Sequence, residues 1–152
     1  MNDHEDYFAT TTHALFESFV VITYQLYERR KDTISIPTLI EDLAQANPVV
    51  SNELRGLVEQ GKPLLAKAFA IRCGVYAHRS KKQPPETIFA DAGISAHEMQ
   101  AIVCMTTGMV ASLADAFAVD TKQEIIEEIE RRGVCASDDT MLLMGALREH
   151  AL

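Results

Sequence analysis

Leu64-Leu65-Ala66-Lys67-Ala68-Phe69-Ala70-Ile71-Arg72-Cys73-Gly74-Val75-Tyr76-Ala77-His78-Arg79-Ser80 carries both the helical period and the chemistry of this chain. Leu64, Leu65, Ala68, Phe69, Ile71 and Val75 recur at the spacing of one apolar helix face. At the end of that run, Arg72 and His78 stand six positions apart (78 − 72). A histidine accepts and returns a proton near neutral pH. An arginine grips a phosphate through two parallel hydrogen bonds. Together they are the minimum for cutting RNA without a metal: a base for the ribose 2′-hydroxyl and a cation for the phosphorane charge. The plainer reading of the same pair is a helix end whose negative dipole is met by cationic side chains.

Geometry sets a condition on the pair. On an unbroken α-helix six residues turn through roughly 600°, which leaves the two side chains about 120° apart. Tyr76 and Arg79 fall nearer the Arg72 face. Arg72 and His78 converge only if the helix frays or bends before His78, which Gly74 and the polar run from Ser80 allow. A second subunit could also bring its own pair to a shared cleft.

Outward from this stretch the pattern stays helical. Leu15, Phe16, Phe19, Val20, Thr23, Leu26 and Tyr27 form one apolar stripe on a long first helix. Ser35 caps a short second helix, with Pro37 in its first turn and Leu39, Ile40 and Leu43 inward. Asn47-Pro48 ends it. A third segment begins near Ser51, with Leu54, Leu57 and Val58 inward, and Gly61-Lys62-Pro63 is expected to interrupt or kink it. The stretch Ser80 to Pro85 reads as a loop. A short helix from Glu86 stops at Gly93. Ser95-Ala96-His97-Glu98 is a capping box that opens a long helix, with Met99, Ile102, Val103, Met109, Val110, Leu113 and Phe117 inward. Thr121-Lys122-Gln123-Glu124 is a second capping box, Gly133 a stop, and Ser137 or Asp138 starts a last helix through Met141-Leu142-Leu143-Met144. That apolar end either closes the core or covers a partner. Thr33-Ile34-Ser35-Ile36 alternates but is too short to build a sheet. The fold class is all-α.

Length and composition bound the rest. The chain has 152 residues, the size of one domain, and 47% of them are apolar, enough for a real core. The start Met1-Asn2-Asp3-His4-Glu5-Asp6 is acidic and polar, the opposite of a signal peptide. No run of about eighteen apolar residues offers a membrane span. A cytoplasmic protein without a membrane partner is expected. The net charge of −8 argues against non-specific coating of nucleic acid, though not against a local basic site. Basic residues gather at Arg72, Arg79, Lys81 and Lys82, and again at Arg29-Arg30-Lys31, where a helix C-terminal cluster is the simpler account. Cys73, Cys104 and Cys135 are evenly spaced, but their flanks share nothing, so they read as small buried or half-buried thiols. No disulfide framework, zinc site or other cofactor is expected. His4 lies in the N-terminal tail, His150 near the other end and His97 in a first helical turn. His13 lies on the first helix near Glu17 and Ser18, where a surface position is the simpler reading. No phosphate-cradling glycine loop, G-x-S-x-G elbow or H-E-x-x-H pair is present.

Arg72 to His78 resembles the R-x(4–6)-H motif of the HEPN superfamily, the higher eukaryote and prokaryote nucleotide-binding domains. The wider order is similar to the abortive-infection subgroup of HEPN-like proteins: Leu15 to Lys31 on a long helix, Thr33 to Leu39 after it, Ile71 to Arg79, then Phe89 to Ser95. The likeness spans residues 8–117. It implies a bundle of four to five core helices over residues 1–120; residues 121–152, for which the resemblance offers no counterpart, read from their own pattern as a C-terminal extension of two helices packed on the same domain. It implies a homodimer whose two motif copies face one cleft, and metal-independent cleavage of RNA in a phage-defence or toxin–antitoxin setting, with an antitoxin or regulatory protein as partner. The catalytic roles carry over to Arg72 and His78, and Tyr76 and Arg79 would help to hold the RNA backbone. Cys73 departs from the family pattern, in which Asn, Asp or His often follows the motif arginine. The rival expectation is a non-catalytic helical module that binds a partner protein or nucleotide in a defence or stress system.

Overall fold

A computed structural model of the chain describes residues 3–30, 32–77, 83–118, 127 and 131. Five α-helices follow one another: α1 (Asp3–Tyr27), α2 (Ile36–Ala46), α3 (Pro48–Ile71), α4 (Pro85–Ala92) and α5 (Ala96–Ala116). A π-helical segment, Arg72–Ala77, continues α3. The fold is all-α, with no strand among the described residues. Two compact units divide the chain, Met1–Leu113 and Ala114–Leu152. In the second, Ala118 takes a left-handed φ of 52° and its N–H donates to the Asp115 carbonyl at 3.0 Å. The capping box expected at Thr121 and, apart from residues 127 and 131, the helices expected after it lie outside the described residues, together with Cys135 and His150.

In the first unit α3 is the central strut, packed against α1, α2 and α4. Its start is set by Asn47, which serves two helices. The Asn47 backbone N–H donates to the Leu43 carbonyl and closes α2, while its side chain accepts from the Val50 N–H and opens α3. Pro48 then occupies the first turn, where its missing N–H costs nothing. The helix therefore begins three residues before the expected Ser51. Ser51 is instead fully buried, its hydroxyl donating to the Ile40 carbonyl at 2.9 Å. Ser35 caps α2 as expected, in a reciprocal box with Thr38.

The expected interruption at Gly61-Lys62-Pro63 does not occur, and α3 runs through it. Val58, Gly61, Leu65 and Ala68 form one buried stripe across the site, and Pro63 lies on the exposed side. The Glu59 carbonyl that loses its partner there is on the side open to water. A Cβ on Gly61 would stand 2.5 Å from the Met105 sulfur, so this glycine leaves room for the end of the Met105 side chain of α5.

Some stripe-edge residues face solvent instead of the core: Leu15 is 67% exposed, Leu57 42%, Val103 50% and Phe117 44%. On α1 the inward line is Val20, Thr23 and Tyr27, and Leu15 falls beyond its margin. Cys73 and Cys104 are exposed free thiols, not buried ones, because both lie off the lines that face the core. α1 also begins at Asp3 and takes in His4, which was expected in a tail.

α5 is long and apolar enough, by length and composition, to cross a bilayer, which an unbroken apolar run would have missed. In the bundle it buries Ile102, Met109 and Leu113. Tyr27 and Thr106 share a hydrogen bond of 2.9 Å between α1 and α5. The Ser95 box is formed: the Glu98 carboxylate accepts from the Ser95 N–H, and the Glu98 N–H donates to the Ser95 hydroxyl. Lys67 of α3 donates to Glu98 at 2.6 Å and to the Gly93 carbonyl at 3.2 Å.

The Lys67 and Ser95 hydrogen bonds hold the Glu98 carboxyl at about 2, below its ordinary 4.5. A depressed carboxylate stabilises the fold fully above its unfolded value, and that contribution is lost as pH falls through the folded value. Stability should therefore drop between about pH 4.5 and pH 2, and Glu98→Gln should flatten the drop. Urea midpoints across that range test this; parallel curves for the two proteins would refute it.

Candidate functional site

Ile71, the last α-helical residue of α3, is fully buried and anchors the turn after it. The Arg72 N–H is shared between the Ala68 and Phe69 carbonyls, and from there the chain widens into π geometry. Such widenings recur at functional positions. Gly74 lies inside this one. A Cβ there would meet the Ile88 side chain at 2.7 Å, so the absent side chain lets α4 lie against the segment. The helix thus leaves α geometry from Arg72, in a segment that contains Gly74.

The widened turn aims Arg72 and Tyr76 at α1. The Arg72 guanidinium carbon sits 4.0 Å from the Tyr24 ring centroid, over the ring. Tyr24 meets Phe69 edge-to-face at 5.2 Å. Tyr76 meets His13 edge-on, with centroids 6.2 Å apart and planes at 78°. His13 and Tyr24 are about three helical turns apart and share one side of α1. Burial, and then the nearby Glu17 charge, push the Tyr76 hydroxyl above its ordinary value. That hydroxyl is enclosed without a hydrogen-bond partner among the described residues. Arg72 forms no ion pair among the described residues.

Of the residues singled out from sequence, Arg72 and Tyr76 are thus brought together against α1. His78 and Arg79 lie outside the described residues. His13, read as a surface residue, is exposed yet touches Tyr76, and Glu17 acts on the same tyrosine. Ser18 turns back to the Ala14 carbonyl and contributes nothing here. Sequence reasoning passed over Tyr24, and it counted Phe69 only as core. Their signal was the margin of the apolar stripe, where an aromatic ring can serve two neighbours. No group of three or more metal-ligating side chains occurs among the described residues. A cavity of about 430 Å³ lies on the α4 side of the segment, lined by Lys67, Gly74, Ile88 and Asp91, but its lysine is already paired with Glu98.

The chain is an all-α, HEPN-like protein related to abortive infection. The chain belongs to the HEPN AbiU2 family, whose model, described as AbiU2, matches residues 1–129. No curated protein and no solved structure matches it.

Proposed function

We propose that this HEPN AbiU2 member is a metal-independent endoribonuclease of a phage-defence or toxin–antitoxin system, acting as a cytoplasmic homodimer. The observation that carries the reading is Arg72: a guanidinium on an aromatic face, without a carboxylate partner among the described residues. A cation kept from ion pairing is one that retains its donors for a phosphate. His78 takes the proton from the ribose 2′-hydroxyl, whose oxygen attacks the adjacent phosphorus. Arg72 stabilises the charge on the phosphorane oxygens. The bond from phosphorus to the 5′-oxygen breaks, and that oxygen receives a proton from a histidine. Tyr76 and Arg79 hold the RNA backbone, and the partner proteins are a second copy and an antitoxin.

A second reading, a non-catalytic module that binds a protein or nucleotide, is favoured by Cys73. An exposed thiol stands where relatives often carry a polar partner for the substrate. Product analysis separates the two readings. Purified protein with RNA in chelator should yield fragments ending in a 2′,3′-cyclic phosphate and a 5′-hydroxyl. No cleavage by a folded protein that light scattering shows to be a dimer would favour the binding module. Cleavage abolished by chelator and restored by a divalent ion would assign a different chemistry, and a monomer at micromolar concentration would remove the shared cleft.

A further inference from the structure

We infer that Tyr24 is a positioning residue for Arg72, an inference that rests on the endoribonuclease reading and adds α1 to its machinery. An arginine can be held still in two ways. Its five N–H donors all lie in the guanidinium plane. A carboxylate partner fixes that plane by occupying two of them. An aromatic face fixes it from above or below and occupies none.

The contact is of the second kind. The guanidinium carbon is 4.0 Å from the Tyr24 centroid. The group thus sits over the π face of the ring and not beside a carboxylate of the described residues. Phe69 closes the arrangement from α3, meeting Tyr24 at 69° with centroids 5.2 Å apart. The Phe69 carbonyl also accepts from the Arg72 N–H. Tyr24 is held in the corner between the two, and Arg72 cannot swing without leaving it.

Charge adds a reason for this device. The chain carries −8 overall, so a loosely held arginine would find carboxylates readily. A ring that competes for the face of the guanidinium keeps its edge available to a phosphate. The tyrosine hydroxyl has no part in this, so phenylalanine should serve equally well.

The test compares Tyr24→Phe, Tyr24→Leu, Arg72→Ala and the Tyr24→Leu/Arg72→Ala double variant. Tyr24→Phe should cleave RNA as the wild type does. Tyr24→Leu keeps apolar bulk without a π face and should lose about 3- to 30-fold in kcat/KM, the worth of a cation–π contact. In the Arg72→Ala background, Tyr24→Leu should have no further effect. Wild-type activity in Tyr24→Leu, or an equal loss in both backgrounds, would overturn the inference. An NMR measurement does not depend on activity. The Arg72 side-chain protons, assigned by their disappearance in Arg72→Ala, should be shifted upfield by the ring in wild type and Tyr24→Phe, and should return to ordinary positions in Tyr24→Leu. If the wild type cuts no RNA, the endoribonuclease reading falls while these shifts still decide whether Tyr24 holds the guanidinium. Unshifted Arg72 protons in the wild type would overturn the inference even if Tyr24→Leu did not fold.

Discussion

His78→Ala is expected to lower RNA cleavage by about 10²–10⁴-fold, the usual worth of a positioned proton-transfer group. Arg72→Ala is expected to lower it by at least about 10²-fold, since it removes the charge that meets the phosphorane. The two losses should not add, because groups serving one transition state act as a unit. Arg72→Lys should fall between wild type and Arg72→Ala. It keeps the positive charge but neither the planar group that sits over Tyr24 nor the paired donors. Folding should survive the Arg72 changes, because Arg72 is partly exposed and its contact with Tyr24 is one of several between these helices. Single-turnover cleavage alongside thermal melts checks each statement. A His78→Ala protein that cuts as well as the wild type would remove the catalytic assignment.

What the sequence revealed best is what neighbouring residues decide among themselves. The Ser35 cap with Pro37 in the first turn, the Ser95–Glu98 box and the stop at Gly93, which adopts a left-handed φ of 52°, are all made within a few positions of chain. Their hydrogen bonds can be written from residue type and spacing alone. The apolar period likewise predicted that the helices exist. It was less good at their margins, since a stripe only has a centre once its neighbours are known. Leu15 and Val103 satisfy the period and still face solvent. Pro63 is instructive, because the helix is not interrupted there. Local preference argues for a break, but the buried line from Val58 to Ala68 holds α3 together across it.

The candidate site was legible in its chemistry and not in its geometry. Arg72 stands out because a cation ends an apolar run. That it lies on Tyr24 depends on a helix more than forty positions earlier in the chain, and no local rule reports such a meeting. The π-helical widening is similar. Gly74 lies within it, yet what makes a glycine necessary there is Ile88 of α4, which occupies the space a Cβ would take. His13 and Glu17 read more simply as helix-surface residues in the sequence, because their meeting with Tyr76 is set by the packing of α1 and not by spacing. Function here is assembled by contacts between helices, while each helix is written locally.

Ile71 joins those two levels, and its removal should be costly. It is fully buried, it is the last residue of α3, and it precedes the arginine of the motif. Ile71→Ala is expected to destabilise the protein by about 2–5 kcal/mol, from lost transfer energy and from the cavity left behind. Against a typical total of about 5–15 kcal/mol, that is a large share. Ile71→Val removes a single methyl and should cost about 0.5–1.5 kcal/mol. Urea titration measures both. The functional consequence should differ in kind from that of Arg72→Ala. Well below its unfolding midpoint, Ile71→Ala keeps every group that meets the RNA, so its cleavage should fall far less than that of the arginine variant. The loss should grow as temperature nears the midpoint, tracking the unfolded fraction. A midpoint unchanged from wild type would mean that α3 is not anchored at Ile71. A temperature-independent loss as deep as that of Arg72→Ala would mean that the buried anchor and the charged residue beside it act as one catalytic element.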